Sequence, residues 1–197
     1  MAEIVHLLLA AGKSERMRKP KQLLPWRKHT LIEHKINILL KTGNVVVVLG
    51  AFANEIQPVI NYLPVLSFVN EQWNIGMGNS LAYGINMASQ HFPNAHGILI
   101  SLTDQPLVDE KHYQKMIHAF CPGKKQIIAS RAATWTGVPT LFDITYHNEL
   151  KALKGNNGAK KLIKKYPENI IYIEGDNILS DIDTPEAYQK MIERSKQ

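Results

Sequence analysis

The 197-residue chain is 45% hydrophobic and 20% charged, which is the composition of a globular protein with a buried core rather than of a disordered chain. It has no apolar run near the roughly 18 residues of a membrane span, and its one cysteine, Cys121, excludes an internal disulfide and a cysteine-based zinc site. The formal net charge of +6 favours an anionic partner, but the cations do not form the aromatic-interleaved stripe of a nucleic-acid-binding protein. We therefore expect one cytoplasmic domain over residues 1–197 that binds neither nucleic acid nor membrane.

Short apolar runs alternate with helical patterns along the chain. The first run, IVHLLLA, follows Glu3 rather than a basic segment, so we interpret it as a strand and not as a signal peptide. Six runs have the composition of buried strands: residues 4–10, 45–50, 65–69, 97–102, 126–130 and 170–174. Between them, apolar residues recur at helical spacing: Ile32, Ile36, Leu39 and Leu40; Tyr113, Met116, Ile117 and Phe120; Leu150 and Leu153; Tyr188, Met191 and Ile192. This alternation predicts an α/β fold with a mostly parallel sheet that is covered on both faces.

The loop after the first strand, in LLLAAGKSERMRKPKQLLPW (7–26), carries five cations between positions 13 and 21. Ligands of open α/β sheets bind beyond the carboxyl ends of the strands, so this loop is expected at the edge of a binding site. We predict that Gly12 shapes the turn and lets a phosphate approach the backbone, while Arg16 and Lys21 bind phosphate oxygens. The alternative is an exposed basic turn. With its single glycine, the loop matches neither the GxGxxG nor the Walker A pattern.

Two acidic segments also follow apolar residues and provide candidate metal ligands. Asp104 comes two residues after the end of the run 97–102, and Asp181 and Asp183 stand in the segment DIDTP. Magnesium binds through one or two carboxylates together with substrate phosphates, so these three residues predict a Mg²⁺ site. The alternatives are a turn or helix cap at Asp104, and a helix N-cap at Asp183 or Thr184 with Pro185 in the first helical position. In DIDTP both can hold, because one residue can cap the helix while another binds metal.

Six segments, in order, resemble the signatures of the nucleotidyltransferases related to the molybdenum cofactor cytidylyltransferases. They are LLLAAGKSERMRKPKQLLPW (7–26), VNEQWNIGMGNSLAYGI (69–85), SLTDQPLV (101–108), GVPTLF (137–142), LKGNNGAKKLI (153–163) and DIDTPEAY (181–188). The resemblance covers almost the whole chain and implies a single-domain, three-layer Rossmann-like nucleotidyltransferase fold of the GT-A type. Two positions depart from the family pattern: Arg18 replaces a glycine and Asn156 replaces an aspartate. If that aspartate binds the second substrate, this chain uses a different one.

The resemblance implies that a nucleoside triphosphate binds next to the first loop. Its base is expected between Ala10, Ala11 and Gly12 on one side and the segment from Gly76 to Ser80 on the other. Ser80 is a candidate partner for the base or ribose, with helix capping as the alternative role. Ala11 resembles the cytidylyl branch of the family and favours CTP over GTP.

The implied reaction transfers a nucleoside monophosphate from the triphosphate to a phosphorylated acceptor and releases pyrophosphate. Such a transfer requires positioning and neutralisation of charge rather than a protein nucleophile. The implied catalytic residues are therefore Arg16, Lys21 and Asp104, with Mg²⁺ held by Asp104 and by Asp181 or Asp183.

The acceptor is expected between the segments GVPTLF and KGNNGAKK. Lys160 and Lys161 suit an anionic group such as the phosphate of molybdopterin, although a solvated basic helix face is an equal alternative. We interpret Trp73 and Trp135 as core residues. Other interpretations of the chain are an isoprenoid or phospholactate nucleotidyltransferase, a non-catalytic accessory protein that serves a molybdoenzyme or its maturation factor, and a dinucleotide oxidoreductase. The absence of GxGxxG disfavours the last of these.

Overall fold

The computed structural model describes residues 2–17, 19–133, 135–156 and 158–195. The strands in these ranges are β1 (Ile4–Ala10), β2 (Pro25–Trp26), β3 (His29–Thr30), β4 (Asn44–Leu49), β5 (Leu66–Val69), β6 (Gly97–Leu102), β7 (Ile127–Ala132), β8 (Trp135–Asp143) and β9 (Ile170–Glu174). The α-helices are α1 (Leu31–Leu39), α2 (Ala53–Ile60), α3 (Met77–His91), α4 (Glu110–His118), α5 (His147–Lys151), α6 (Lys160–Lys165) and α7 (Pro185–Arg194). None of these helices is long and apolar enough to cross a membrane.

Seven of the strands form one sheet in the order β5-β4-β1-β6-β8-β7-β9. β1 pairs in parallel with β4 and β6, β4 pairs in parallel with β5, and β7 pairs in parallel with β9. β8 alone in this sheet is antiparallel to its neighbours, β6 and β7. β2 and β3 form a separate antiparallel pair. The predicted α/β fold with a mostly parallel sheet is confirmed, and all six predicted strands are present.

β8, the one strand of this sheet that the sequence did not predict, lies in its interior between β6 and β7. Its sequence contains Gly137 and Pro139, which argue against a central strand because proline has no N–H to donate. The sheet accommodates them through a shift of register between Ala129 and Ser130 of β7, which leaves Val138 and Pro139 outside the pairing. The Ser130 hydroxyl donates to the Pro139 carbonyl at 2.8 Å and so satisfies that group.

Each face of the sheet carries a hydrophobic core. α3, α5 and α6 cover one face, and α1, α2 and α4 cover the other, which produces the three layers. Along β1, Leu7 and Leu9 contribute to the first core, whereas Leu8 and Ala10 contribute to the second, as the alternation of a strand requires. β1 is therefore buried along its whole length, and the chain emerges at its carboxyl end.

A third, smaller core joins the first loop to the end of the chain. It consists of Met17, Leu24, Trp26, Leu31, Ile182 and Met191. Met17 lies within the basic segment and Leu24 lies just beyond it, so this core fixes the loop in its middle and at its far end. Ile182 stands between Asp181 and Asp183, so the same core fixes the DIDTP segment beside that loop.

Buried histidines make the fold sensitive to acid. The pKa values of His6, His34 and His112 are lowered to about 4, mainly because burial penalises the charged imidazole. His6 is fully buried, and its Nε2 atom lies 2.9 Å from the Thr42 hydroxyl. The unfolded chain takes up protons near pH 6.5, whereas the folded chain does so only near pH 4, so stability is lost as the pH falls through this window.

We expect the replacement His6→Gln, which cannot titrate, to reduce this loss by about 2 kcal/mol between about pH 7.5 and about pH 5. Urea unfolding of the wild type and of the variant at both pH values measures the difference. An identical loss in the two proteins would contradict the assignment to His6.

Candidate active site

Two adjoining cavities open at the carboxyl ends of β1 and β6. The first has a volume of about 300 Å³ and is bounded by the loop after β1, the loop after β6 and the beginning of α3. Its walls include the predicted nucleotide-binding residues Ala10, Ala11, Gly12, Lys21, Gly76, Ser80 and Asp104. The structure thus brings together residues from three separate segments of the chain, as expected for loops at one edge of a sheet.

The loop after β1 is held in place by a buried side chain, Gln22. Its Nε2 atom donates to the carbonyl of Ala10 at 2.9 Å and to that of Gly12 at 3.1 Å, and the side chain is 2% exposed. The Ser14 hydroxyl contributes by accepting from the Lys21 amide at 3.3 Å. Sequence analysis missed Gln22. The feature of the sequence that could have indicated it is a polar residue directly before the apolar residues Leu-Leu-Pro-Trp.

We expect Gln22→Leu to destabilise the protein by about 1–3 kcal/mol, because it leaves the two carbonyl groups without their donor. Urea unfolding measures this change. Gln114→Leu is the matched control, since the Gln114 amide on α4 bonds only an exposed carboxylate, that of Glu110, at 2.9 Å. Equal losses in both variants would contradict a special role for Gln22.

The prediction that Gly12 shapes the turn is wrong. The residue in the left-handed region is Ser14, with a φ of 53°, and Gly12 does not adopt a positive φ. A Cβ atom built on Gly12 would meet no protein atom within 4 Å. What Gly12 provides is open space on the cavity side of the backbone, where a ligand can approach.

Lys21 forms the centre of an ion-pair network. Its Nζ atom lies 2.5 Å from Asp104 Oδ2 and 3.2 Å from Asp183 Oδ1. Arg16, which is more exposed, pairs with the other oxygen of Asp183 at 2.8 Å. Burial opposes the charge on Lys21, but the carboxylates of Asp104 and Asp183 outweigh it and raise the pKa of Lys21. The three predicted catalytic residues, Arg16, Lys21 and Asp104, thus lie in one network, although Arg16 is outside the walls of the first cavity.

The three predicted metal ligands do not form one preassembled cluster. Asp104 and Asp183 converge on Lys21, whereas Asp181 lies in the wall of the second cavity. Within the residues that the structure describes, no group of three His, Cys, Asp or Glu side chains is arranged to hold a metal ion. Burial, together with the charges of Asp104 and Asp183, raises the pKa of Asp181 to about 6.

The carboxylates nevertheless fit a divalent cation. The Oδ1 atom of Asp104 is buried and has no hydrogen-bond partner in the described part of the protein. Hard cations such as Mg²⁺ prefer oxygen ligands of this kind. In DIDTP it is Thr184 that caps α7, by accepting from the Ala187 amide at 3.2 Å, with Pro185 in the first helical position. This leaves Asp183 free for the ion-pair network.

The beginning of α3 is packed tightly against the loop around Gly155. Gly76 has a φ of 128°, and a Cβ atom there would lie 2.3 Å from Asn156 Oδ1. The Gly78 amide donates to the Gly155 carbonyl at 2.7 Å. Only glycine is compatible with this contact at position 76. Asn156, one of the two departures from the family signature, therefore lies at the junction of the two cavities; the other, Arg18, is outside the described residues.

Ser80 does not cap α3, so that alternative is wrong. The N-cap is Gly76, without a side-chain bond, and Ser80 lies in the first turn beyond it. The Ser80 hydroxyl accepts from Asn70 Nδ2 at 3.0 Å and is buried in the cavity wall. Asn70, which sequence analysis missed, thereby makes the Ser80 hydroxyl an acceptor and leaves its own proton available for donation.

The second cavity, of about 500 Å³, shares Leu9, Met77 and Leu102 with the first. Both segments predicted to flank the acceptor contribute to it, through Gly137, Val138 and Thr140 and through Asn156, Gly158, Ala159 and Lys160. Lys161, the other predicted cation, lies instead along a separate surface groove of α5 and α6.

The two tryptophans interpreted as core residues are cavity residues as well. Trp73 borders the first cavity and Trp135 the second. The Lys160 ammonium lies 5.9 Å from the centre of the Trp135 ring. The Trp135 ring packs against the second core, as the sequence predicted, and it is in addition partly exposed to the second cavity.

Comparison with known families agrees with this geometry. The model of the MobA-like NTP transferase domain matches residues 6–170, which is most of the chain. The chain belongs to the MobA-like NTP transferase family. It is therefore a nucleotidyltransferase, an enzyme whose substrates include a nucleoside triphosphate.

Two relatives are similar to this MobA-like transferase along nearly their whole length. Nicotine blue oxidoreductase of Paenarthrobacter nicotinovorans is 30% identical over 200 residues, covering 96% of each chain. The purine catabolism protein PucB of Bacillus subtilis (strain 168) is 27% identical over 205 residues, covering 98% of this chain and 97% of PucB.

Rv0371c from Mycobacterium tuberculosis H37Rv is similar in structure, with a TM-score of 0.83, 28% identity and 98% of each chain covered. A second structure of Rv0371c is a complex with manganese and has a TM-score of 0.81 at 27% identity. Together with the unpartnered oxygen of Asp104, this complex indicates that the MobA-like family uses a divalent metal.

Proposed function

We propose that this protein transfers a nucleoside monophosphate, CMP in preference to GMP, from the triphosphate to a phosphorylated acceptor, for which molybdopterin is the favoured candidate. The observation that carries the proposal is the pair of adjoining cavities, which meet at Leu9, Met77 and Leu102 beside the Lys21–Asp104 ion pair. Two substrates bound in these cavities can meet without leaving the cleft. We also propose that the protein is cytoplasmic and that it folds as a single domain, as its composition favours.

Ala11 in the wall of the first cavity supports CTP. Ala11 is buried against Gly50, where a Cβ atom would lie 2.7 Å from the Ala11 carbonyl oxygen and from Trp73 Cβ. This wall is therefore tightly packed around the residue that resembles the cytidylyl branch of the family. Ser80 lies in the opposite wall as a hydrogen-bond donor to the base or ribose.

In the proposed reaction, an oxygen of the acceptor phosphate attacks the α-phosphorus of the triphosphate. A new P–O bond forms, the bond to the β-phosphate oxygen breaks, and pyrophosphate leaves with the bonding electrons. Lys21 and Arg16 neutralise and orient the phosphate oxygens. A divalent cation, Mg²⁺ in our proposal, would be held by Asp104 with Asp183 or Asp181 and would supply further positive charge to the phosphates.

The second cavity supports a planar, anionic acceptor. Trp135 offers an aromatic face, and Lys160 beside it offers a cation for a phosphate. Gln105 and Thr140 provide polar groups in the same wall. A pterin phosphate uses all of these features, whereas an isoprenoid or phospholactate acceptor has no ring for Trp135. The product would then pass to a molybdoenzyme or to its maturation factor.

The proposal is tested by pyrophosphate release in a matrix of CTP, GTP and ATP against molybdopterin, an isoprenoid phosphate precursor and phospholactate, with Mg²⁺ and with Mn²⁺. The expected result is release that requires both CTP and molybdopterin. Release with another acceptor would replace the acceptor assignment, and nucleotide binding without release under any condition would indicate a non-catalytic accessory protein.

Hydride transfer is a second candidate function, because a relative with 30% identity is named an oxidoreductase. The two cavities would then hold a nicotinamide dinucleotide and a planar aromatic acceptor. Oxidation of NADH or NADPH, followed by its absorbance in the presence of such an acceptor, tests this candidate. Oxidation without pyrophosphate release in the first assay would favour it over nucleotidyl transfer.

A further inference from the structure

A lysine lies completely inside the core beneath the active site. Lys35 of α1 is 0% exposed. Its Nζ atom donates to the carbonyl of Gln105 at 2.7 Å, to that of Val108 at 3.3 Å and to the Tyr113 hydroxyl at 3.3 Å. An ammonium group has three N–H donors, so these three acceptors use all of them.

Burying a charged group at this position is energetically unfavourable. Burial lowers the pKa of Lys35 to about 7, against the opposing effect of the carboxylates of Asp104 and Asp109. The apolar contacts of α1 do not depend on it, since Ile32, Ile36 and Leu39 of the same helix already lie in the core. A methionine would fill a similar volume without the cost of burying an ammonium group.

Two of the three hydrogen bonds of Lys35 are to the segment 104–109, which lies between β6 and α4. This segment begins with Asp104, the partner of Lys21, and ends with Asp109, the N-cap of α4. From the opposite side, the Asp104 carbonyl accepts from the Ile182 amide at 2.8 Å. The Gln105 side chain donates to the carbonyls of Val138 at 3.2 Å and Leu179 at 3.3 Å.

The segment 104–109 is therefore held between α1 on one side and β8 with the residues 179–182 on the other. The Gln105 carbonyl that Lys35 binds belongs to the residue directly after Asp104. A hydrogen bond made inside the core thus acts one residue away from the carboxylate that lines the first cavity. The side chain of Gln105 itself lines the second cavity.

We propose that Lys35 is a positioning residue, which fixes the segment 104–109 from inside the core so that Asp104 faces the phosphates and Gln105 faces the acceptor. The effect of this positioning on catalysis rests on the proposed function, whereas the positioning itself is a property of the unliganded protein.

The test is Lys35→Met, which retains the length of the side chain and removes its donors. We expect a folded protein in which kcat falls about 10–100-fold, the KM for the triphosphate changes much less, and Mn²⁺ binds more weakly by a factor in the same range. Mn²⁺ binding is measured without nucleotide, by electron paramagnetic resonance. Hydrogen–deuterium exchange should increase selectively over residues 104–109.

Lys41→Met is the matched control. Lys41 also connects the end of α1 to α4, through an exposed ion pair with Glu110 at 3.0 Å, but it does not contact the segment 104–109. Lys35→Gln retains part of the hydrogen-bond donor capacity, so its effects on kcat, Mn²⁺ binding and exchange are expected to lie between those of the wild type and of Lys35→Met. It replaces Lys35→Met in the test if the methionine variant does not fold.

Unchanged Mn²⁺ affinity and unchanged exchange in the folded Lys35 variants would overturn the proposal, as would identical effects of Lys35→Met and Lys41→Met. The exchange and Mn²⁺ measurements require no turnover. If the wild type releases no pyrophosphate with any substrate pair, they still decide the role of Lys35, so this proposal and the proposed function fail separately.

Discussion

Replacing Asp104 with asparagine should remove nearly all nucleotidyl transfer at saturating Mg²⁺ while leaving the fold intact. The change conserves shape, but it removes the negative charge that pairs with Lys21 at 2.5 Å and replaces one of the two carboxylate oxygens by an amide nitrogen, which does not bind a metal ion. We expect a loss of at least about a hundred- to a thousandfold in kcat, the range found when one electrostatic contact to a transition state is removed. Steady-state pyrophosphate release measures the loss, and circular dichroism establishes that the fold is retained.

Asp109→Asn is the matched control for this experiment. Asp109 stands at the other end of the same segment, and its side chain caps α4 by accepting from the His112 amide at 3.0 Å. Asparagine caps helices as well as aspartate does, so this variant loses the same charge without losing its structural contact. We expect near-normal turnover. Normal turnover by Asp104→Asn, or an equal loss in both variants, would contradict the role of Asp104.

The periodic parts of the fold were predictable because their signal is local. β1, β6 and β9 begin and end at the residues that the apolar runs predicted, since strands covered on both faces are continuous apolar segments. β8 and α2 were not predicted, because Pro139 and Pro58 interrupt their patterns. What allows Pro139 in a central strand is a shift of register in β7, and this depends on a neighbouring strand rather than on the segment itself.

The site was predictable to the level of segments but not of contacts. Loops after parallel strands meet at one edge of a sheet, and this rule was sufficient to bring the Ala10–Gly12 turn together with Asp104 and Ser80. Sequence periodicity does not predict hydrogen bonds to distant residues or to backbone carbonyls. Bonds of this kind are the ones made by Gln22, Asn70 and Lys35.

The same limit explains the error at Gly12. Glycine is compatible with several backbone conformations, and the sequence does not indicate which one is used. In the structure the left-handed position is taken by Ser14, whose hydroxyl accepts from the Lys21 amide. The predicted loop does line the first cavity, and the predicted cations Arg16 and Lys21 do lie in one ion-pair network, but the left-handed position falls two residues after Gly12.

Lys21→Ala should have opposite effects on the two ligands of the first cavity. It removes a cation from the proposed triphosphate site, so binding of CTP with Mg²⁺ should weaken and transfer should slow. It also removes the ammonium group that lies between Asp104 and Asp183, and a metal ion no longer has to displace that group to reach the carboxylates. We therefore expect Mn²⁺ without nucleotide to bind more tightly, by roughly tenfold or about 1.4 kcal/mol.

Lys19→Ala separates this mechanism from a general effect of charge. Lys19 is exposed and lies two positions from Lys21, so its removal changes the net charge of the protein by the same amount. Exposed charges are screened over about 8 Å at physiological salt, so neither ligand should respond strongly to the loss of Lys19. Isothermal titration of both variants with CTP and Mg²⁺, and separately with Mn²⁺ alone, measures all four affinities. Equal affinities of the two variants for CTP would mean that the loop after β1 is a solvated basic turn, and weaker Mn²⁺ binding by Lys21→Ala would mean that Lys21 holds the carboxylates in place for the metal rather than competing with it.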